Sequence, residues 1–221
     1  SAVGVQMCST MLLPYLDQAP LYNQFNFFVS FDKVPNHALT QSKMAMFHCP
    51  SNPQTEGTNW TSSNSLGVVD TSILDDSAST HYLPVAHSGK DGVDARTGSS
   101  IVATNKDGLF YQLSKTRFRD ITDGMSNTLA FTESVGDKPG SHKLFAWGAY
   151  SGGIGVRGGV NANFPDLNSW SFNGDTFVGP SSYHTGGCHV LMGDGAVRFI
   201  SENINLATLQ NLASRSGGEV I

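Results

Sequence analysis

The chain's 221 residues are enough for one domain with an adequate core, or two small ones. Its 18 acidic side chains outweigh 13 basic ones, a formal net charge of -5, which argues against nucleic acid, a partner that needs a concentrated basic surface. Charged residues reach only 14%, Gly contributes 24 residues, and Ser, Thr, Asn and Asp are abundant while Glu is scarce. These turn and cap formers exclude a coiled coil, a helical bundle and a collagen-like repeat, and point to a loop-rich, β-dominated chain.

In chain order, Thr10 to Phe31 reads as a broken helix. Leu12, Leu13 and Leu16 recur at helical spacing with Thr10 as a cap, and Pro20 opens a second turn carrying Leu21, Phe25 and Phe28. A short helix is expected over Ala38 to Met46, stopped by Cys49-Pro50-Ser51-Asn52-Pro53. Residues 54–79 read as a long surface loop. Strands are expected at Thr80–Ala86, Leu109–Leu113, Thr128–Ser134 and Leu144–Tyr150, each bounded by turn formers. Residues 151–182 are Gly-rich and irregular, with Trp170 and Phe172.

His189 to Ile200 reads as a hairpin about Asp194-Gly195, the dipeptide that a two-residue turn prefers. Pairing outward from that turn sets Met192 opposite Val197 and Val190 opposite Phe199, with Leu191–Arg198 and His189–Ile200 on the other face. Asn205 then caps a closing helix to Ser214, with Leu206, Leu209 and Ala213 buried and Gly217 as the stop. Helices, then strands, then a short helix is an α+β order with no βαβ alternation. No apolar stretch approaches the roughly 18 residues that span a bilayer. The opening Ser1-Ala2-Val3 reads as a trimmed or processed start.

Several motifs occur together. His184, nine residues, then Asp194-Gly195 resembles the bacterial H-X9-DG family, also called DUF1559, whose members look like type IV pilins or type II secretion pseudopilins. The other blocks follow in the family's order: Leu12 to Gln18 with Pro20 to Gln24, Cys49-Pro50-Ser51, Asp123-Gly124-Met125-Ser126-Asn127-Thr128 with Glu133, and the ending Gly217 to Ile221. Asn52 and Thr185 depart from the usual Asp and Pro, and residues 54–108 and 137–178 carry no motif. The resemblance implies a pilin-like α+β head with an N-terminal helical region packed on an antiparallel sheet. It also implies a single ectodomain over residues 1–221, whose N-terminal hydrophobic anchor helix is missing here.

His184 and Asp194 invite an acid–base reading, yet no Gly-x-Ser-x-Gly accompanies them, and the turn already accounts for Asp194. The expected role of His184 is a hydrogen bond that pins the loop before the hairpin. Glu133, in a strand expected to be buried, needs a partner, either His184 or the backbone of the Asp123-Gly124 turn. No cofactor is expected. Calcium is the sharper alternative, in the Asp-rich loops Asp75-Asp76, Asp91 to Asp94 and Asp120 to Asp123. Zinc is not expected, since there is no C-x-x-C and His81 with His87 lacks a third ligand. Three cysteines allow three pairings. Cys188 falls on the core-facing side of the hairpin, so Cys8–Cys49 is the expected bridge if one forms. Gly153 to Gly158 spells Gly-x-Gly-x-x-Gly but no helix follows, so it is no dinucleotide motif.

The resemblance implies a non-enzymatic, pilin- or pseudopilin-like structural or assembly protein of the bacterial cell envelope. Its partners would be other pilin-like subunits or the envelope assembly machinery, and membrane contact would come only through the missing helix. The alternative is an extracellular module binding carbohydrate or peptide, with Trp147 or Trp170 lining a groove.

Overall fold

The computed structural model describes residues 8–29, 31, 33–53, 77–90, 106–111, 114–135, 145–147, 154–156, 158–161 and 179–218. The expected loops carrying Asp75-Asp76 and Asp91 to Asp94, together with Trp60, Trp170 and Phe172, lie outside these residues.

The N-terminal region is broken, as Pro14 and Pro20 dictate. Helix α1 (Cys8–Leu12) runs into a 3₁₀ turn at Leu13–Leu16, and α2 (Ala19–Tyr22) follows. Thr10 lies buried inside α1 instead of capping it. Asp17 adopts the left-handed conformation between the two segments, which short polar side chains tolerate. The single helix expected at Ala38–Met46 is instead α3 (Asn36–Thr40) and a separate 3₁₀ turn at Ala45–Phe47. Asn36 fixes this region, accepting the Asn26 N–H and donating to the carbonyls of Asn26 and Val29.

Among the described residues, three two-residue and four longer strand segments follow. Strand β1 (Ser79–Thr80) pairs antiparallel with β4 (Phe145–Ala146). The main sheet contains β2 (Tyr82–His87), β3 (Leu129–Glu133), β5 (Ile154–Gly155), β6 (Gly187–Met192) and β7 (Val197–Ser201) in the order β5-β2-β3-β6-β7. Among the described residues only β2 and β5 pair in parallel, so the sheet is mixed. Helix α4 (Leu206–Ala213) closes the α+β fold. Leu109–Leu113 is not a strand over its described residues, although Phe110 N–H donates to the Val85 carbonyl. Strand β5 was not foreseen within its Gly-rich stretch.

The hairpin register differs from the expected one by a residue. Val190 pairs with Arg198, His189 with Phe199 and Cys188 with Ile200. The connection is three residues, Gly193-Asp194-Gly195: Gly195 N–H donates to the Met192 carbonyl, and Gly195 sits at φ 89°. This is a turn followed by a left-handed glycine, the commonest three-residue hairpin. A one-residue slip exchanges the faces of a strand. Val197 and Phe199 are consequently exposed, and Ile200 is buried.

Two cores result. Cys188, Val190 and Met192, alternating along β6, pack with Val85, Leu129, Ile200 and α4 residues Leu209, Leu212 and Ala213. Asn205 caps α4 as expected, accepting from Ala207 and Thr208 N–H, but Leu206 is exposed and Leu212 takes its place in the buried stripe. The second core gathers Leu13, Phe25, Met44, Phe47, Ala78 and Trp147. Trp147 is fully buried, stacked on Phe47, with its indole N–H donating to the Ser42 carbonyl. It is a core residue and not the wall of a sugar-binding groove. No helix among the described residues is long and apolar enough to cross a membrane.

Candidate functional site

Strand alternation decides where Glu133 points. Its neighbour Thr132 turns toward the α4 side, where its hydroxyl lies 3.8 Å from Cys188 Sγ. Glu133 therefore turns to the other face of the sheet, beside its cross-strand partner Tyr82 and the start of β6. The carboxylate is buried, and a buried charge requires partners. His184 Nε2 lies 3.2 Å from Oε1, and the His189 backbone N–H donates to Oε2 at 2.7 Å. His189 Nδ1 stands 3.4 Å from the same Oε2. Of the two partners expected for Glu133, His184 and the backbone of the Asp123-Gly124 turn, the structure selects His184. Ser182 Oγ accepts the His184 N–H and donates to the Gly187 carbonyl, which fixes the loop that carries the ring.

The sequence reading missed the third member. Cys49 Sγ lies 3.5 Å from His184 Nε2, across 135 residues of chain. Its thiol, the imidazole and the Glu133 carboxylate place one ligand-type atom each within 4.8 Å of one another. Cys49 and Cys8 are both free, so the expected Cys8–Cys49 bridge is absent. The cause is that Cys49 turns to the sheet: its N–H donates to His81 Nδ1, and His81 N–H in turn donates to the Phe47 carbonyl. His48 stacks on His81, and His184 meets His189 edge-on. Three histidines that look scattered in the sequence, His81, His184 and His189, thus contact Cys49 or Glu133, with His48 stacked on His81.

Burial is the main cause that raises the Cys49 thiol above its ordinary range, and the Glu133 carboxylate adds to it. Burial likewise pushes Tyr82 up to about 12, with Cys49 and Glu133 contributing. The thiol is consequently neutral near pH 7. In a Cys–His–carboxylate relay the base uses opposite ring nitrogens for nucleophile and carboxylate. Here both partners meet the same Nε2, so the three groups converge on a point and do not form a relay.

The remaining motif residues lie elsewhere. The carboxylate of Asp123 accepts the N–H groups of Gly217 and Gly218, and its own N–H donates to the Arg215 carbonyl. Gly124, at φ 91°, leads into a 3₁₀ turn formed by Met125, Ser126 and Asn127. Asn127 donates from its side chain to the Asp123 carbonyl, and the Thr128 hydroxyl donates to the Gly124 carbonyl. Asp120 accepts the Arg117 N–H. The carboxylates of Asp120 and Asp123 thus serve as acceptors for backbone N–H groups of the chain itself. Asp194 accepts the Ala196 N–H within its own turn. The six-residue β6 separates it from His184, a span of about 20 Å at strand rise, so the two do not form an acid–base pair.

A family model described as "Protein of unknown function (DUF1559)" matches residues 6–207, and the chain belongs to that family. No curated protein matches it, and no solved structure does.

Proposed function

We propose that this DUF1559 chain is the non-enzymatic head of a pilin- or pseudopilin-like protein of the bacterial cell envelope, anchored in its native form by an N-terminal hydrophobic helix. The observation that carries this reading is how the motif residues outside the Cys49–Glu133–His184 cluster are used. Asp123 ties down the C-terminal segment, Asn127 and Thr128 close the central turn, and Gly193 and Asp194 N–H groups dock the hairpin tip onto the carbonyls of Thr128 and Met125. Groups spent on backbone bonds hold a scaffold together and are not presented to a substrate.

Exposed apolar side chains add support. Met11, Leu12 and Tyr15 are exposed on the first helical segment, and Val197 and Phe199 on the edge strand β7. Such surfaces suit packing against other subunits or the envelope assembly machinery.

The test is to express the head with an N-terminal hydrophobic helix in a bacterial host, then fractionate and cross-link the cells. Recovery with the envelope, in cross-linked multimers, is the expected result. A head that stays monomeric in the soluble fraction overturns the reading.

A further inference from the structure

We propose that Cys49, Glu133 and His184 form a binding site for a thiophilic divalent cation of the Zn²⁺ type. The donor set fits, because thiolate, imidazole and carboxylate are the ligands such an ion takes, whereas calcium and magnesium want oxygen alone. The spacing also fits. A tetrahedral ion with Zn–S about 2.3 Å and Zn–N or Zn–O about 2.0 to 2.2 Å holds its ligand atoms about 3.3 to 3.6 Å apart. The sulfur–nitrogen and nitrogen–oxygen separations are 3.5 and 3.2 Å, close to that range, and with all three atoms within 4.8 Å the sulfur and the carboxylate oxygen need at most a shift of about 1 Å toward each other to close on an ion.

The surroundings prepare the site. His189 occupies Oε2 of Glu133 through its backbone N–H and its ring, which turns Oε1 toward the cluster, as an outer partner of a metal ligand does. The His81 ring holds the Cys49 backbone N–H. Cys49 and Glu133 are buried, whereas the His184 side chain is 25% exposed, so an ion can enter from that side and keep one open coordination position. On binding, the Cys49 S–H bond breaks, its proton leaves to solvent, and the sulfur lone pair forms the bond to the ion. The ion then joins the segment after Phe47, in the Trp147 core, to β3 and to the loop before β6.

Co²⁺ serves as the spectroscopic probe, with Zn²⁺ as competitor, on the whole chain under reducing conditions. The expected result is one equivalent of Co²⁺ giving a sulfur-to-cobalt charge-transfer band, displaced by Zn²⁺ but not by Ca²⁺. The band is absent in Cys49→Ser and retained in Cys188→Ser. Glu133→Gln and His184→Ala weaken Zn²⁺ binding by more than the roughly 10- to 100-fold typical of outer-partner changes. A folded wild-type chain without the band, or a band that survives Cys49→Ser, overturns the proposal. Should Cys49→Ser fail to fold, alkylation of the wild-type chain decides. Zn²⁺ slows modification of Cys49 at least about tenfold and leaves Cys8 unaffected if the site is real, and equal rates at Cys49 with and without Zn²⁺ overturn it.

Discussion

Glu133 meets His184 through one carboxylate oxygen, at 3.2 Å, and the His189 backbone through the other, at 2.7 Å. The two residues are therefore unequal partners. Removing His184 leaves Glu133 one of its bonds, whereas removing Glu133 strips both the imidazole and a strand N–H. Losing one member of a buried pair costs about 1 to 3 kcal/mol. Glu133→Ala is expected near the top of that range and His184→Ala near the bottom, in urea denaturation with a chelator present. The double variant loses less than the sum, because one interaction is shared. Strict additivity would show that the pair contributes nothing.

The hairpin gives a contrast between two glycines. Gly195 is at φ 89° with open space where a Cβ would go, so Gly195→Ala meets only backbone strain, about 1 to 2 kcal/mol. Gly195→Val costs more, through β branching. At Gly187 a Cβ would stand 2.0 Å from the Ile200 carbonyl oxygen. Gly187→Ala therefore forces β6 and β7 apart and is expected to exceed both in denaturant melts. A Gly187→Ala melt matching wild type would contradict the close strand approach.

Asp123 is exposed enough that its two bonds to Gly217 and Gly218 are modest, about 1 kcal/mol together. Their effect is local. Asp123→Ala should speed amide exchange at residues 217 and 218 severalfold while β6 and β7 amides keep their protection. Unchanged exchange at both glycines would remove this role for the carboxylate.

Burial pushes the Cys188 thiol up from 9.0 to about 12, with the Thr132 hydrogen bond opposing that rise and the Glu133 charge adding to it. The folded chain thus holds this proton more tightly than the unfolded one. Below pH 9 both states keep it, and the thiol imposes no pH dependence. Between about pH 9 and 12 only the unfolded state releases it, so stability falls by up to about 4 kcal/mol. Thermal melts from pH 7 to 11 should show a plateau followed by an alkaline decline to which Cys8, Cys49 and Tyr82 also contribute, and Cys188→Ala should make that decline shallower without abolishing it. A decline of equal slope in the variant would assign it to other groups.

Interactions that act over a few residues were legible along the chain. Pro14 and Pro20 break the N-terminal helix, Asn205 caps α4, Gly195 takes the left-handed position, and alternation along β6 buries Cys188, Val190 and Met192. The motif blocks also carried the family, and the scarcity of Glu in a strand expected to be buried singled out Glu133, with His184 as one of two candidate partners. Tertiary packing decided the rest. The turn after Gly124 accepts the Gly193 and Asp194 N–H groups, so the hairpin closes over three residues, and the slip reverses the faces of β7. Leu212 displaces Leu206 because the sheet, not the helix period alone, selects which side of α4 is covered. Cys49 reaches Glu133 and His184 only after the Phe47 segment packs beside β2, and no spacing along the chain encodes that meeting. Local propensity ends within a turn or a strand, while register, helix facing and the convergence of distant side chains depend on which surfaces bury each other.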